Sequence, residues 1–143
     1  MRKNNFLNLE KAKKLLIEKN CTLVLVNDNQ IFESKERGVK PLIEKFKDDN
    51  SYEEFSVADK VVGKGAAFIY LLLKIKYIHA FIISKPALKI LTENDVFITY
   101  DTLVDNIINR NKDGICPIEE CVLNENNPKY AYNLIIEKLK NLK

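Results

Sequence analysis

Apolar side chains recur every three and four positions along residues 6–19 (Phe6, Leu9, Ala12, Leu15, Leu16), the spacing of an amphipathic helix. The pattern then changes to a β-branched run from Cys21 to Asn27, a polar turn at Asn27-Asp28-Asn29 and a second run from Gln30 to Ser34, which predict a hairpin. Gly38 and Pro41 punctuate a loop, Leu42 to Phe46 suits a short helix, and residues 48–54 form a polar, exposed segment. Ser56 opens a long helix reaching about Lys74, with Val61, Val62, Ala66, Ile69 and Leu73 on its apolar face. Strands are predicted at 77–84 and 95–100, and helices at 86–91, 103–108, after Cys116-Pro117, and from Asn127-Pro128 through Leu139.

Alternation of strands and helices after the first hairpin implies a sheet covered on both faces. The expected fold is a three-layer α/β/α sandwich, one domain over residues 1–143, with a mixed sheet of about four to five strands. Such a sheet binds ligands outside its strand ends, near helix N-termini. Three predicted helix starts therefore matter: Ser56, Pro86 and Cys116.

Composition removes whole classes. With 46% hydrophobic and 30% charged residues, neither disorder nor a fibrous repeat is expected. The longest strongly apolar stretch, Gly65 to Leu73, is far short of a bilayer span. Met1-Arg2-Lys3 leads into Asn-Asn-Phe-Leu-Asn and not into a signal-peptide core. The expectation is a cytoplasmic protein with no membrane partner. The charge balance, 23 basic against 20 acidic residues, decides little, but only Arg2, Arg37 and Arg110 carry a guanidinium. That scarcity argues against a specific nucleic-acid reader. Three cysteines (Cys21, Cys116, Cys121) and one histidine (His79) read as free thiols in a reducing compartment. Their spacing does not match a zinc knuckle, so no metal and no cofactor is expected.

Two segments carry candidate chemistry. In Ser56-Val-Ala-Asp59-Lys60-Val-Val-Gly63-Lys64-Gly65, Ser56 and Asp59 read as a variant capping box, and Lys60, Gly63 and Lys64 share a helical face. Two glycines inside a helix call for compensation by close packing or by a ligand. Capping with snorkelling lysines and a functional Asp–Lys pair both fit this segment. Gly63-Lys64-Gly65 lacks the spacer and ending of a P-loop. In Cys116-Pro117-Ile118-Glu119, proline suits the first helical position, which places Cys116 at the N-cap and Glu119 at N3. A thiol there meets amide dipoles that favour the thiolate, and Asn109-Arg110 lies just upstream. His79 sits mid-strand and reads as structural.

Ser34, Gly38-Val39, Pro41, the run Ala58-Asp59-Lys60-Val61-Val62-Gly63-Lys64, Ser84, Asn109-Arg110 and Cys116-Pro117-Ile118-Glu119 together resemble the signature of an uncharacterised prokaryotic family, domain of unknown function 1893. The likeness runs from about Leu7 to Leu139, with Gly65 standing where the pattern has Ala. It implies a cytidine-deaminase-like fold. Zinc deaminases carry His-x-Glu at one helix start and Pro-Cys-x-x-Cys at another. The corresponding stretches here are taken as Val57-Ala58-Asp59 and Pro86 to Ile90, so Val57, Ala87 and Ile90 stand where zinc ligands belong. Only Asp59 keeps a carboxylate near the proton-shuttle position.

Two functions follow. One is a metal-free enzyme acting on a nucleoside- or nucleotide-like ligand, with Asp59 as acid–base and Cys116 as nucleophile. The other is a non-catalytic binding or regulatory module for such a ligand. In both, Lys60, Lys64, Ser84, Asn109, Arg110 and Glu119 form the expected ligand-binding set for a small anionic or nucleotide-like partner. A structural role and a homo-oligomer remain open. Asp59, Lys60, Lys64 and Cys116 are expected to converge on one pocket.

Overall fold

Runs rich in β-branched residues form five strands: β1 (Leu23–Val26), β2 (Ile31–Ser34), β3 (Ser56–Val62), β4 (Tyr77–Ser84) and β5 (Phe97–Val104). The computed structural model describes residues 3–48 and 51–142. The sheet order is β2-β1-β3-β4-β5. β1 pairs antiparallel with β2 and β3, while β3–β4 and β4–β5 are parallel. Asn27 closes the β1–β2 hairpin, its side-chain oxygen accepting from the amides of Asn29 and Gln30. Parallel neighbours need crossovers, and helices α3 (Lys64–Leu72) and α4 (Lys85–Glu93) supply them.

The remaining helices are α1 (Lys3–Glu18), α2 (Lys40–Lys47), α5 (Pro117–Cys121) and α6 (Pro128–Lys140). α1 covers one face, where Ala12 and Leu16 pack with Cys21, Val24, Val26 and Ala58. The opposite face carries α3 and α4, and α2, α5 and α6 pack against α3. Helices on both sides of a mixed five-stranded sheet make the expected α/β/α sandwich. α3 is its buried centre: Ala67, Phe68, Ile69 and Tyr70 have no exposed surface. Each large side chain buried there stabilises the fold by roughly 1.5–3 kcal/mol. Among the described residues, no helix is long and apolar enough to cross a membrane.

The largest departure from expectation lies at Ser56. The predicted helix to Lys74 is instead strand β3, a break at Gly63 and helix α3. Val57, Val61 and Val62 favour a strand, and the first four positions are buried on both sides, which erases the alternation that would have marked one. Ser56 therefore caps nothing; its hydroxyl donates to the carbonyl of Asn5 in α1 at 2.9 Å. Gly63 is the N-cap of α3 (φ −96°, ψ 179°), so the glycines flank the helix start and do not interrupt it. The helix expected at 103–108 is also absent: Leu103 and Val104 end β5, and Ile108 bridges to Ile115. In the polar segment 48–54, Asp49 and Asn50 lie outside the described residues, as do Met1 and Arg2, and Tyr52 is buried against expectation.

One irregularity positions the site. Between Asp59 and Val62 the side-chain alternation breaks: Lys60 and Val61 are both exposed, and both ladders skip one pair at Phe81 in β4, opposite Lys60 and opposite Asp101, with the register unchanged on either side. Asp59 Oδ1 accepts from the Val61 amide at 3.2 Å across this break. As a result both Asp59 and Val62 face the α3 side of the sheet.

Candidate functional site

Strands β3 and β4 end side by side, and each runs directly into a helix. At the first junction Gly63 leads into Lys64, the opening residue of α3. At the second, Ser84 caps α4, its hydroxyl accepting from the Ala87 amide at 3.3 Å. Into the angle between these two helix starts reaches Glu119, buried to 1% exposure. Its Oε1 accepts from the Lys64 amide at 2.9 Å and from the Ser84 hydroxyl. Its Oε2 accepts from the Ile107 amide at 2.5 Å. Three donors thus hold one carboxylate against the positive ends of two helices, where the amide dipoles stabilise negative charge.

Local sequence explains how Glu119 arrives there. Pro117 opens α5, Cys116 is its N-cap and Glu119 stands at N3, as the sequence predicts. The side chain does not turn back to cap its own helix. The Cys116 amide donates instead to the Ile107 carbonyl at 2.7 Å, which leaves the carboxylate for α3 and α4. Gly63 packs closely beneath it: an added Cβ would stand 3.1 Å from Ile107 Cγ1 and 3.3 Å from Glu119 Oε1, so those side chains would have to give way by a few tenths of an ångström.

Lys64 completes this cluster. Its ammonium donates to the Leu123 carbonyl at 2.6 Å, tying α3 to the end of α5. Burial lowers its pKa first, Lys89 lowers it further, and Glu119, Glu125 and Glu93 oppose both. The structure therefore brings together Lys64, Ser84 and Glu119 of the expected set.

It does not bring in the others in the expected way. Asp59 lies mid-strand under α3, where its Oδ2 accepts from the Tyr70 hydroxyl at 2.5 Å. Burial raises its carboxyl to about 7, against the opposing bonds from Tyr70, Val61 and Lys60. The same burial, with the Asp59 charge, raises the Tyr70 phenol well above its ordinary value. Lys60 is exposed at the break in alternation, and its amide donates to the Thr22 carbonyl. Asn109 staples a turn, donating to Asp113 Oδ1 at 2.8 Å and accepting from the Asp113 amide, while Arg110 is exposed. Cys116 is half-buried and its thiol caps no amide. All three cysteines are free.

His79 stands on the α1 face of the sheet, away from the Glu119 cluster. Its Nδ1 lies 2.6 Å from Thr99 Oγ1, its Nε2 lies 3.4 Å from Asp101 Oδ1, and its ring meets Phe81 edge-on. Nε2 has no hydrogen bond. Among the described residues, no three His, Cys, Asp or Glu side chains gather closely enough to hold a metal ion. Sequence reasoning missed Tyr70 and the Ile107 amide. Neither carries a local signal, because each acts through a partner 11 or 12 residues away.

The family comparison agrees with this architecture. The model of the domain of unknown function DUF1893 matches residues 11–139. The chain belongs to the DUF1893 family. A crystal structure of a DUF1893 protein from Thermotoga maritima (TM1506) superposes with a TM-score of 0.86 at 35% identity, covering 96% of this chain and 92% of that one. No curated protein matches the chain. The runs that carry the family resemblance meet in one structural place only in part: the Gly63-Lys64, Ser84 and Glu119 segments of this DUF1893 chain come together, and the Asn109-Arg110 segment does not join their hydrogen bonds.

Proposed function

We propose that this DUF1893 protein is a non-catalytic module on a cytidine-deaminase-like scaffold that binds a small nucleotide-like ligand. The observation that carries the reading is the Glu119 carboxylate. It fills the junction of the α3 and α4 starts, where a zinc deaminase would hold its metal and water, and it takes up the Lys64 amide and the Ser84 hydroxyl there together with the Ile107 amide. The residues at those starts support the same reading. Helix α3 opens with Gly63-Lys64-Gly65 and α4 with Lys85-Pro86-Ala87, followed by Ile90, and none of the side chains is a zinc ligand. Val57-Ala58-Asp59 does not correspond to a deaminase helix start, since those residues lie inside β3.

A metal-free enzyme would use Asp59 as acid–base and Cys116 as nucleophile. Asp59 Oδ2 is engaged by Tyr70 and Oδ1 by the Val61 amide, both within the core, so the binding role has the better support. Two assays on purified protein test it. Ammonia release from cytidine, adenosine and their monophosphates, with and without added zinc, is expected to stay at background. Thermal unfolding against a mononucleotide panel is expected to rise for at least one member. Turnover abolished by Cys116→Ser, or a panel with no shift at all, would overturn the reading.

A further inference from the structure

The two edges of the sheet are protected unequally. β2 is only four residues long, and a short edge strand offers a second chain little to pair with. β5 runs for eight residues and contains neither lysine nor proline, the residues that commonly blunt an edge. Its one charge, Asp101, turns toward His79 on the α1 face. The Phe97 amide donates to the Lys76 carbonyl at 2.8 Å, so Phe97 and Thr99 direct their backbone groups to β4, while Ile98 and Tyr100 direct theirs outward. Among the described residues, no backbone group meets them there. Phe97 and Tyr100 are 38% and 41% exposed, so the side chains leave this edge open as well.

The stretch from Phe97 to Asp101 is its own complement. With an antiparallel copy set about a two-fold axis at Thr99, Ile98 stands opposite the partner's Tyr100, and each such pair exchanges both of its N–H···O bonds. Their side chains agree in face: Ile98 packs on the α3-side core, and Tyr100 lies in register with Ala80, which belongs to that same core. Aromatic and β-branched side chains are favourable neighbours across a ladder, as are two threonines, and Thr99 faces its own counterpart. Phe97 stands opposite the partner's Asp101, so no like charges oppose one another. The break in alternation at Phe81, opposite Asp101, ends the regular stretch there and keeps the seam short.

We infer that the chain pairs with a second copy of itself along β5, joining the two five-stranded sheets edge to edge about a two-fold axis at Thr99. So short a seam makes a weak dimer that forms and dissociates with concentration, at the small end of specific interfaces.

Sedimentation velocity of the full chain, from micromolar to near-millimolar concentration, tests it. The mass is expected to rise from 16.6 kDa toward twice that value. Tyr100→Glu, which sets a charge against the partner's Ile98, is expected to weaken association about tenfold or more. Opposed residues that exchange no ladder bond bring their Cα atoms to about 4.5 Å, within reach of a disulfide. Thr99→Cys oxidised with diamide is therefore expected to link the two introduced thiols, and Phe97→Cys to link far more slowly. Amide chemical shifts of the unaltered protein guard against variants that fail to fold: residues 97–101 are expected to shift with concentration. A monomer at every concentration would overturn the inference. So would a dimer that survives Tyr100→Glu, one whose shifts map away from β5, or equal cross-linking by the two cysteine variants.

Discussion

Replacement of Asp59 by asparagine should change how stability depends on pH. The carboxyl titrates at about 7 in the folded protein against 3.8 ordinarily, because burial beneath α3 penalises its charge. The sign follows from proton counting. Between these values the folded state holds a proton that the unfolded state has lost, so stability falls as pH rises from 3.8 to 7 and is level above. The full effect is roughly 4 kcal/mol, a large part of the stability of a domain of this size. Asparagine is close in shape and carries no charge, but it cannot accept from both Tyr70 and the Val61 amide while its own amino group is satisfied, which costs about 1–2 kcal/mol. The Asp59→Asn variant should therefore be less stable than the parent near pH 4 and more stable by a few kcal/mol near pH 8. Urea unfolding followed by far-ultraviolet circular dichroism at intervals between those limits reads the difference. A constant offset across the whole range would refute the reasoning, because it would mean that Asp59 does not change charge in the folded state.

Gly65→Ala should destabilise despite the helix propensity it adds. Its Cβ would stand 2.6 Å from Ile118 Cγ2, so the Ile118 side chain must move, at a net cost of roughly 1–2 kcal/mol by urea unfolding. His79→Phe should flatten the acid limb of stability: burial and Lys13 lower the His79 pKa below 6.5, so the parent loses stability as pH falls through that region and the variant should not. Lys64→Met should cost about 1–2 kcal/mol, because the Leu123 carbonyl loses its donor while the aliphatic packing is kept.

Strong local signals are legible in the sequence. The turns around Asn27 and Asn127, the strand at 77–84 and the Cys116-Pro117 helix start each rest on residues whose chemistry acts within three or four positions. The run 56–73 misleads because a strand buried on both faces and a helix buried all round have the same apolar signature. Gly63 is the available clue: it looks like a flaw within one helix, whereas it divides two elements. The same ambiguity governs the site. Placing Asp59 on a helix start moves it toward Lys64 and Cys116, whereas the strand turns it inward to Tyr70. Glu119 is identifiable by its position in α5, but its partners Lys64 and Ser84 lie 55 and 35 residues away, a juxtaposition that only the fold supplies.

A double-mutant cycle on Ser84 and Glu119 tests the closed junction most directly. The Ser84 hydroxyl donates to the carboxylate while accepting from Ala87, and Glu119 receives two further amides. Ser84→Ala, Glu119→Gln and the double variant are compared with the parent by urea unfolding at fixed pH. If the carboxylate closes the junction, Glu119→Gln costs roughly 2–4 kcal/mol and the pair couples by at least about 1 kcal/mol. Costs that add within about 0.5 kcal/mol, with Glu119→Gln nearly neutral, would place the carboxylate outside the junction and contradict the account.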